Sequence, residues 1–248
     1  MTEEVSVPES HPRYESLLTR HRIEAGVERG ITSKQGLIAE GRGEAFDYLL
    51  GEETTDSADR AARAAAAYLL SAEHAVVSVN GNAAALVPEE LVELADVTGA
   101  ELEVNLFNRS RERIEAIADY LREHGAEGVK GLDADARIPG LDHERAKVDS
   151  DGIYDADVVL VPLEDGDRAE ALGEMGKTEL VVDLNPLSRS PQVATVPIVD
   201  NIIRAIPTIT DHARELAGDP AAQQAAIETF DADAALADAK RRIREVEA

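Results

Sequence analysis

The sequence has no cysteine and no tryptophan. The first absence excludes disulfides, thiolate zinc sites, iron–sulfur clusters and cysteine nucleophiles. Aromatic residues make up only 3% of the chain, which argues against a base-stacking surface or a carbohydrate platform. No stretch approaches the ~20 apolar residues that a membrane-spanning helix needs. The start, Met1-Thr-Glu-Glu4, lacks the basic and apolar regions of a signal peptide, so a cytoplasmic location is expected. Positive charge is scarce as well. Lys plus Arg is 25 against 50 Asp plus Glu, a net charge of −25. Nucleic acid and anionic membranes would be repelled by such a chain, so neither is expected as a partner. A local basic pocket stays compatible with it. The lysines are only Lys34, Lys130, Lys147, Lys177 and Lys240. Few Lys, many Ala and a large acid excess fit a halophilic protein, because molar salt screens a carboxylate-rich surface. Folding and activity are therefore expected to need molar salt; retention of both in dilute buffer would contradict this.

What is present is ordinary globular material. A chain of 248 residues that is 44% hydrophobic can bury a core without staples. Ser10 and Pro12 start a helix that runs to Gly26 or Gly30, since Pro is tolerated in a first turn. Gly36 to Glu44 reads as a loop, rich in glycine. An Ala-rich helix follows from about Ser57 to Ala72. From there strands alternate with helices. Val76–Val79, Leu102–Leu106, Asp157–Val161, Leu180–Leu184 and, more weakly, Ala194–Val199 read as strands. Pro88–Thr98, Ser110–His124 and Arg168–Met175 read as helices, the last two closed by Gly125 and Gly176. Asn201 opens a helix that Pro207 kinks or ends, and helices near 210–217 and 220–246 finish the chain. The alternation predicts an α/β fold, a parallel sheet with helices on both faces and an N-terminal helical appendage. The expected organisation is one domain over 1–248, made of a helical part (1–72), an α/β core (73–206) and C-terminal helices (207–248).

Ligands of open α/β sheets bind beyond the carboxyl ends of the strands. Five predicted strand ends carry polar residues beside Gly or Pro: Asn80-Gly-Asn82, Asn108-Arg109, Glu164-Asp-Gly-Asp167, Asn185-Pro-Leu-Ser-Arg189 and Asp200-Asn201. Turn chemistry explains any one of them; five together point to a site. There is no G-x-G-x-x-G fingerprint. Gly176-Lys177-Thr178 resembles the end of a P-loop, but it leaves a helix and enters a strand, so Gly176 is a helix cap. Arginines stand out because the rest is so negative. Arg20, Arg42 and Arg189 are candidate phosphate ligands, with a surface ion pair to Glu24 as the plain alternative for Arg20. Asn201 would offer free backbone N–H groups to an anion, or serve simply as an N-cap. Asp165 and Asp167 could hold Mg²⁺ or lie on an acidic surface. Asp149-Ser-Asp151-Gly152 reads as a turn. His143 could be an acid or base, or an ordinary loop residue.

These residues carry a resemblance. Ser10-His-Pro-Arg-Tyr14, Gly36-Leu-Ile-Ala39, Gly41-Arg-Gly-Glu-Ala-Phe-Asp-Tyr48, Val77-Ser-Val-Asn-Gly-Asn82, Ile138-Pro-Gly-Leu141, His143-Glu-Arg145, Val161-Pro-Leu-Glu-Asp-Gly-Asp-Arg168, Asp183-Leu-Asn-Pro-Leu-Ser-Arg-Ser190 and Val199-Asp-Asn-Ile202 stand in the order of one family. In them the chain closely resembles the archaeal 4-phosphopantoate–β-alanine ligases, or phosphopantothenate synthetases. The resemblance implies a homodimer with a Rossmann-like core. It implies ATP-dependent condensation of 4-phosphopantoate with β-alanine, through an acyl adenylate, to 4'-phosphopantothenate, AMP and pyrophosphate in coenzyme A biosynthesis. The family's ATP contacts carry over onto Arg20, Arg42, Asp183, Leu184, Asn185, Arg189, Ser190, Asn201 and Ile202. Asn80 and Asn82 are expected to position the acyl substrate, and Mg²⁺ is expected with ATP. One departure is Glu40, where several relatives have His; it bears on the loop before Arg42. No general base stands out. Competing readings are a kinase or phosphotransferase on the same scaffold, and a nucleotide-binding protein without turnover.

Overall fold

The computed structural model describes residues 8, 10–11, 13–163 and 165–245. Three helices precede the first strand: α1 (Tyr14–Glu28), α2 (Lys34–Leu50) and α3 (Asp56–Ser71). Then come β1 (Ala75–Val79), α4 (Gly81–Leu86), α5 (Pro88–Thr98), β2 (Glu101–Val104) and α6 (Arg111–Glu123). A hairpin of β3 (Ala136–Arg137) and β4 (Lys147–Val148) follows. The second half holds β5 (Val158–Pro162), α7 (Gly166–Glu174), β6 (Thr178–Val182), α8 (Arg189–Val193), β7 (Val196–Ile198), α9 (Ile202–Leu216), α10 (Pro220–Thr229) and α11 (Ala232–Glu245). The five main strands pair in the order β2-β1-β5-β6-β7, all parallel. In register, Val77 lies beside Leu102, Val76 beside Val159 and Leu160 beside Leu180. The α/β reading therefore holds.

Each strand is buried on both sides, which is why these strands read as continuous apolar runs. Val77, Val79, Leu160, Leu180 and Val182 join a core with α3, α5, α6 and α9. Val76, Val159 and Val161 face the other way, onto α7 and the 136–156 segment. The N-terminal helical part is integral to the core. Ala61, Ala62, Ala64, Ala65, Ala66 and Ala67 of α3 are all sealed from solvent; small side chains let α3 lie close against α9 and β7.

Three local readings are corrected. Residues 36–44 form the middle of α2, not a loop. Glycine costs a helix about 1 kcal/mol each, but one of these is demanded by packing. A Cβ on Gly36 would lie 2.3 Å from Asn82 Oδ1 and 2.6 Å from Thr32 Cγ2, whereas one on Gly43 would meet Leu184 at an ordinary contact distance of 3.4 Å. Ser33 caps the start by accepting from Gly36 N, and Gly51 ends the helix at φ 102°. Nothing in the structure explains Gly41. Second, of the two readings of Pro207, a kink or an end, the end is excluded: α9 runs through it to Leu216, absorbing the stretch expected from 210. An interior proline costs ~3 kcal/mol. Full burial of Ile206, Ile209 and Leu216, at about 2 kcal/mol each, outweighs it. Because α9 begins at Ile202, it also straddles the expected boundary at 207. Third, the C-terminal stretch from 220 is two helices, separated at Phe230. No helix among the described residues is long and apolar enough to cross a membrane.

Glu103 of β2 is fully buried and clamps the loop after β4, accepting from Asp149 N at 3.1 Å and Ile153 N at 2.6 Å. Burial pushes its carboxyl up to about 7, against the pull of those hydrogen bonds. An acid raised above its unfolded value gives stability that is complete below the unfolded pKa, near 4.5, and is lost as pH rises through about 7. From this group alone, stability is expected to fall by roughly 3 kcal/mol between about pH 5 and 8.5. Glu103→Gln should flatten the profile in urea unfolding at fixed KCl. Parallel profiles for variant and parent would refute the role.

Candidate active site

In this strand order the chain turns to opposite sides of the sheet between β1 and β5, and ligands bind at the carboxyl edge of such a switch point. A cleft of about 400 Å³ opens there. Its floor is the strand ends, from Leu106 and Asn108 after β2, through Asn80 after β1 and Leu163 after β5, to Asp183–Asn185 after β6. Its roof is α2, which contributes Ser33, Gly36, Ala39, Arg42, Gly43 and Phe46. A small inner chamber continues behind it, lined by Glu40, Asn80, Asn82, Asp183, Asp200, Asn201 and Ile202.

The asparagines build this floor. Asn80 caps α4, its Oδ1 accepting from Ala83 N at 3.0 Å, while its Nδ2 donates to Pro162 O at 2.7 Å. It thus ties the ends of β1 and β5 together. The Asn80-Gly81 pair, readable as a turn, is a helix start because of that cap. Asn82 donates to Gly36 O at 3.0 Å and fastens α4 to α2. Asp183 turns the chain after β6. Its carboxylate accepts from Asn185 N at 2.9 Å and Ser188 Oγ at 2.5 Å. Burial raises its pKa, with Ser188, Asn185 and the Arg42 charge acting against the rise.

Asn201 caps α9 through Ile203 N and donates to Asp47 Oδ2 of α2 at 2.7 Å. Arg204 completes this corner. It reaches Asp47 at 2.5 Å and Asp200 at 2.7 Å, and Thr54 donates to Asp200 at 2.6 Å. Burial works against the Arg204 charge, but the hydrogen bonds and charges of Asp47 and Asp200 outweigh it and raise its pKa.

The structure therefore brings Arg42, Asn80, Asn82, Asp183, Leu184 and Asn185 into one cleft, with Asn201 and Ile202 in the chamber behind. Arg20 stands apart, beside a cavity shared with Glu40, Asn201 and Arg204. Its partner is Glu44, met at 3.1 and 2.6 Å, rather than Glu24. Arg189 lies over Gly166, 3.6 Å from Glu170, and Ser190 is buried at the start of α8. Asp165 lines the cleft and pairs with Arg145 at 3.0 Å. Asp167 instead meets His143 at 3.2 Å.

The family model for phosphopantothenate/pantothenate synthetase matches residues 57–246. The chain belongs to this family. It is 59% identical over 213 residues to the 4-phosphopantoate–β-alanine ligase of Thermococcus kodakarensis, covering 86% of this chain and 82% of that protein. It is 58% identical over 210 residues to the ligase of that name from Methanosarcina mazei, covering 85% and 83%. The one from Methanospirillum hungatei is 55% identical over 210 residues, covering 85% and 86%. The family match includes the strand-end residues from Asn80 to Ile202; Arg20 and Arg42 precede its start.

Three residues of this synthetase-family cleft were not among the expected site residues. Arg113 of α6 and Arg145 before β4 both line it. Glu40, expected in a loop, faces the inner chamber from α2. Burial drives its carboxyl up to about 7, partly offset by the Asn82 amide. In a chain with twice as many acids as bases, two cleft arginines are distinctive. Arg42 and Arg113 have no carboxylate partner among the described residues.

Proposed function

We infer that the chain condenses 4-phosphopantoate with β-alanine at the expense of ATP, forming 4'-phosphopantothenate, AMP and pyrophosphate in coenzyme A biosynthesis. The observation that carries this reading is the switch-point cleft, polar along its floor and roofed by α2, in a chain 55–59% identical to proteins named as that ligase. A carboxylate cannot acylate an amine directly, because oxide is a poor leaving group. Its oxygen attacks the α-phosphate of ATP, forming the acyl adenylate and releasing pyrophosphate. The β-alanine amine then attacks the acyl carbon and expels AMP, and the amine's proton leaves to solvent. The first step brings two anions together, so catalysis rests on positioning and on positive charge aimed at the phosphates.

In this reading Arg42 holds the polyphosphate, and Asp183, Leu184 and Asn185 orient the nucleotide at the β6 end. Asn201 and Ile202 present the start of α9 to it from the inner chamber, and Arg20, Arg189 and Ser190 complete its contacts. Asn80 and Asn82 border the acyl group where β1 and β5 part. Magnesium is held well by one or two carboxylates together with substrate phosphates, and Asp165 and Asp183 in one cleft fit that need. When bound, it would neutralise phosphate charge.

A homodimer belongs to the same reading. Ile38, Gly41, Ala45 and Tyr48 recur at helical spacing on α2 and are all exposed, Ile38 by 76% and Tyr48 by 70%. Such a stripe, apolar and small, fits a helix of a second copy. Ile38→Glu is expected to halve the mass measured by sedimentation in molar KCl. An unchanged mass would remove this face from the assembly.

Product analysis tests the chemistry. The protein, ATP, Mg²⁺, 4-phosphopantoate and β-alanine are combined in molar KCl. AMP that appears only with both substrates, matched by the amide mass, is the expected result. ADP would replace the ligase by a phosphotransferase. Binding of ATP without turnover at any salt concentration would leave a binding protein.

A further inference from the structure

A second cavity of ligand size lies outside the cleft and shares no lining residue with it. It holds about 360 Å³, inside the usual range for small-molecule pockets. One wall is α3, and the other is α10 with the start of α11. At one end of this pairing the Ser71 hydroxyl donates to Gln223 Oε1 at 3.2 Å. Two and three turns back along α3, Arg63 and Arg60 line the cavity beside Thr229, Phe230 and Asp231. Ala222, Ala225 and Ala226 line it from α10, and Ala234 and Ala235 from α11. The result is an apolar trough with two guanidinium groups on the wall opposite. Pockets for small amphipathic ligands share that plan, an apolar body with a few placed polar groups.

The arginines identify the head group of such a ligand. Arg63 is anchored by one nitrogen: Nη1 donates to Glu215 at 2.9 Å and meets His212 Nδ1 at 3.4 Å. Its Nε and Nη2 have no partner among the described residues. That edge of the guanidinium is the one that grips a carboxylate with two parallel hydrogen bonds. Arg60 makes no hydrogen bond or ion pair among the described residues. Glu215 offsets part of the positive charge. Asp231, which caps α11 through Ala234 N at 2.9 Å, stands in the same cavity. A single carboxylate therefore suits the site better than a polyphosphate, which these acids would repel. The α10 wall sets the length of the tail. From Ala222 to Thr229 it rises ~10 Å, and an extended eight-carbon acid reaches roughly 9 Å at ordinary bond lengths.

We propose that this trough binds a medium-chain aliphatic carboxylic acid, its carboxylate on Arg63 and Arg60 and its tail along the alanines of α10 and α11. The inference does not rest on the ligase reading, because neither wall carries a residue assigned to that reaction.

Calorimetric titration with octanoate, in constant KCl, is the test. One molecule per chain should bind the parent. Arg63→Gln should weaken that binding at least ~10-fold, the worth of a charge-assisted pair of bonds. Arg63→Lys should recover only part of it, because the charge survives without the fork. Acetate has the head alone and octanol the tail alone, and each should bind the parent at least ~10-fold more weakly than octanoate. Ala225→Phe fills the trough without touching either arginine and should abolish octanoate binding while the melting temperature holds. No octanoate binding to the parent at millimolar concentration would overturn the proposal. Equal affinity in the parent and Arg63→Gln would do the same. So would equal affinity for octanoate and octanol, the mark of adsorption on exposed apolar surface. Should Arg63→Gln not fold, Arg60→Gln, at an exposed position, and Ala225→Phe take its place, and unchanged binding in both refutes the site. No arm reads turnover, so the result is separate from that of the ligase assay.

Discussion

Replacing Arg204 by alanine is expected to lower the unfolding free energy by about 3–5 kcal/mol, because it strands two buried carboxylates. The Arg204 side chain is 17% exposed, Asp47 8% and Asp200 2%. Its guanidinium is the charge both of them face. Removing a cation from such a corner costs far more than a surface ion pair, whose usual worth is about 0–1 kcal/mol. The deficit should shrink as pH falls and Asp200, whose pKa burial already raises, protonates. Guanidinium unfolding at pH 5 and pH 8, in constant KCl, measures both effects. A loss under ~1 kcal/mol would mean that water reaches the corner. The same change should also raise KM for ATP, since Asp47 and Asp200 tie α2 to the Asn201 end of α9.

Arg42→Ala is expected to do the reverse: little to stability and a great deal to turnover. Arg42 is exposed and makes no hydrogen bond or ion pair among the described residues. The folded chain loses nothing measurable with it, so the melting temperature should hold. Against a polyphosphate the same guanidinium is worth about 3 kcal/mol, so kcat/KM should drop by at least ~100-fold. Arg42→Lys should recover part of the loss, because charge survives while the planar fork does not. Near-parental turnover in Arg42→Ala would take the phosphates away from α2.

The sheet was legible because its strands are buried on both faces and read as unbroken apolar runs. Their polar ends mark the floor of the cleft. The roof was hidden. The residue that makes Gly36 necessary is Asn82, far along the chain, so local propensity favoured a loop. Arg113 was hidden in a different way, inside the helix read over Ser110–His124, where nothing marked one arginine among several. A signal for it does exist. Arg111 has Glu115 one turn on, and Arg122 has Asp119 one turn back. Arg113 has Arg109, Ser110, Ala116 and Ile117 at those positions, and Arg42 has Ile38, Ala39, Ala45 and Phe46. Arg22 of α1 also lacks an acid one turn away and instead donates to Leu86 O, so this pattern narrows the search without deciding it.

The helix that roofs the cleft also carries the exposed stripe. Ala39, Arg42, Gly43 and Phe46 look inward, while Ile38, Gly41, Ala45 and Tyr48 lie on the open side. On the dimer reading proposed above, one helix would serve both substrate and neighbour. In a pair of chains joined through this stripe, separation would free the helix on its outer side while the inner side still had to grip the nucleotide. Turnover per milligram would then climb with enzyme concentration, and a diluted stock would lose rate slowly, at the pace of dissociation, before settling.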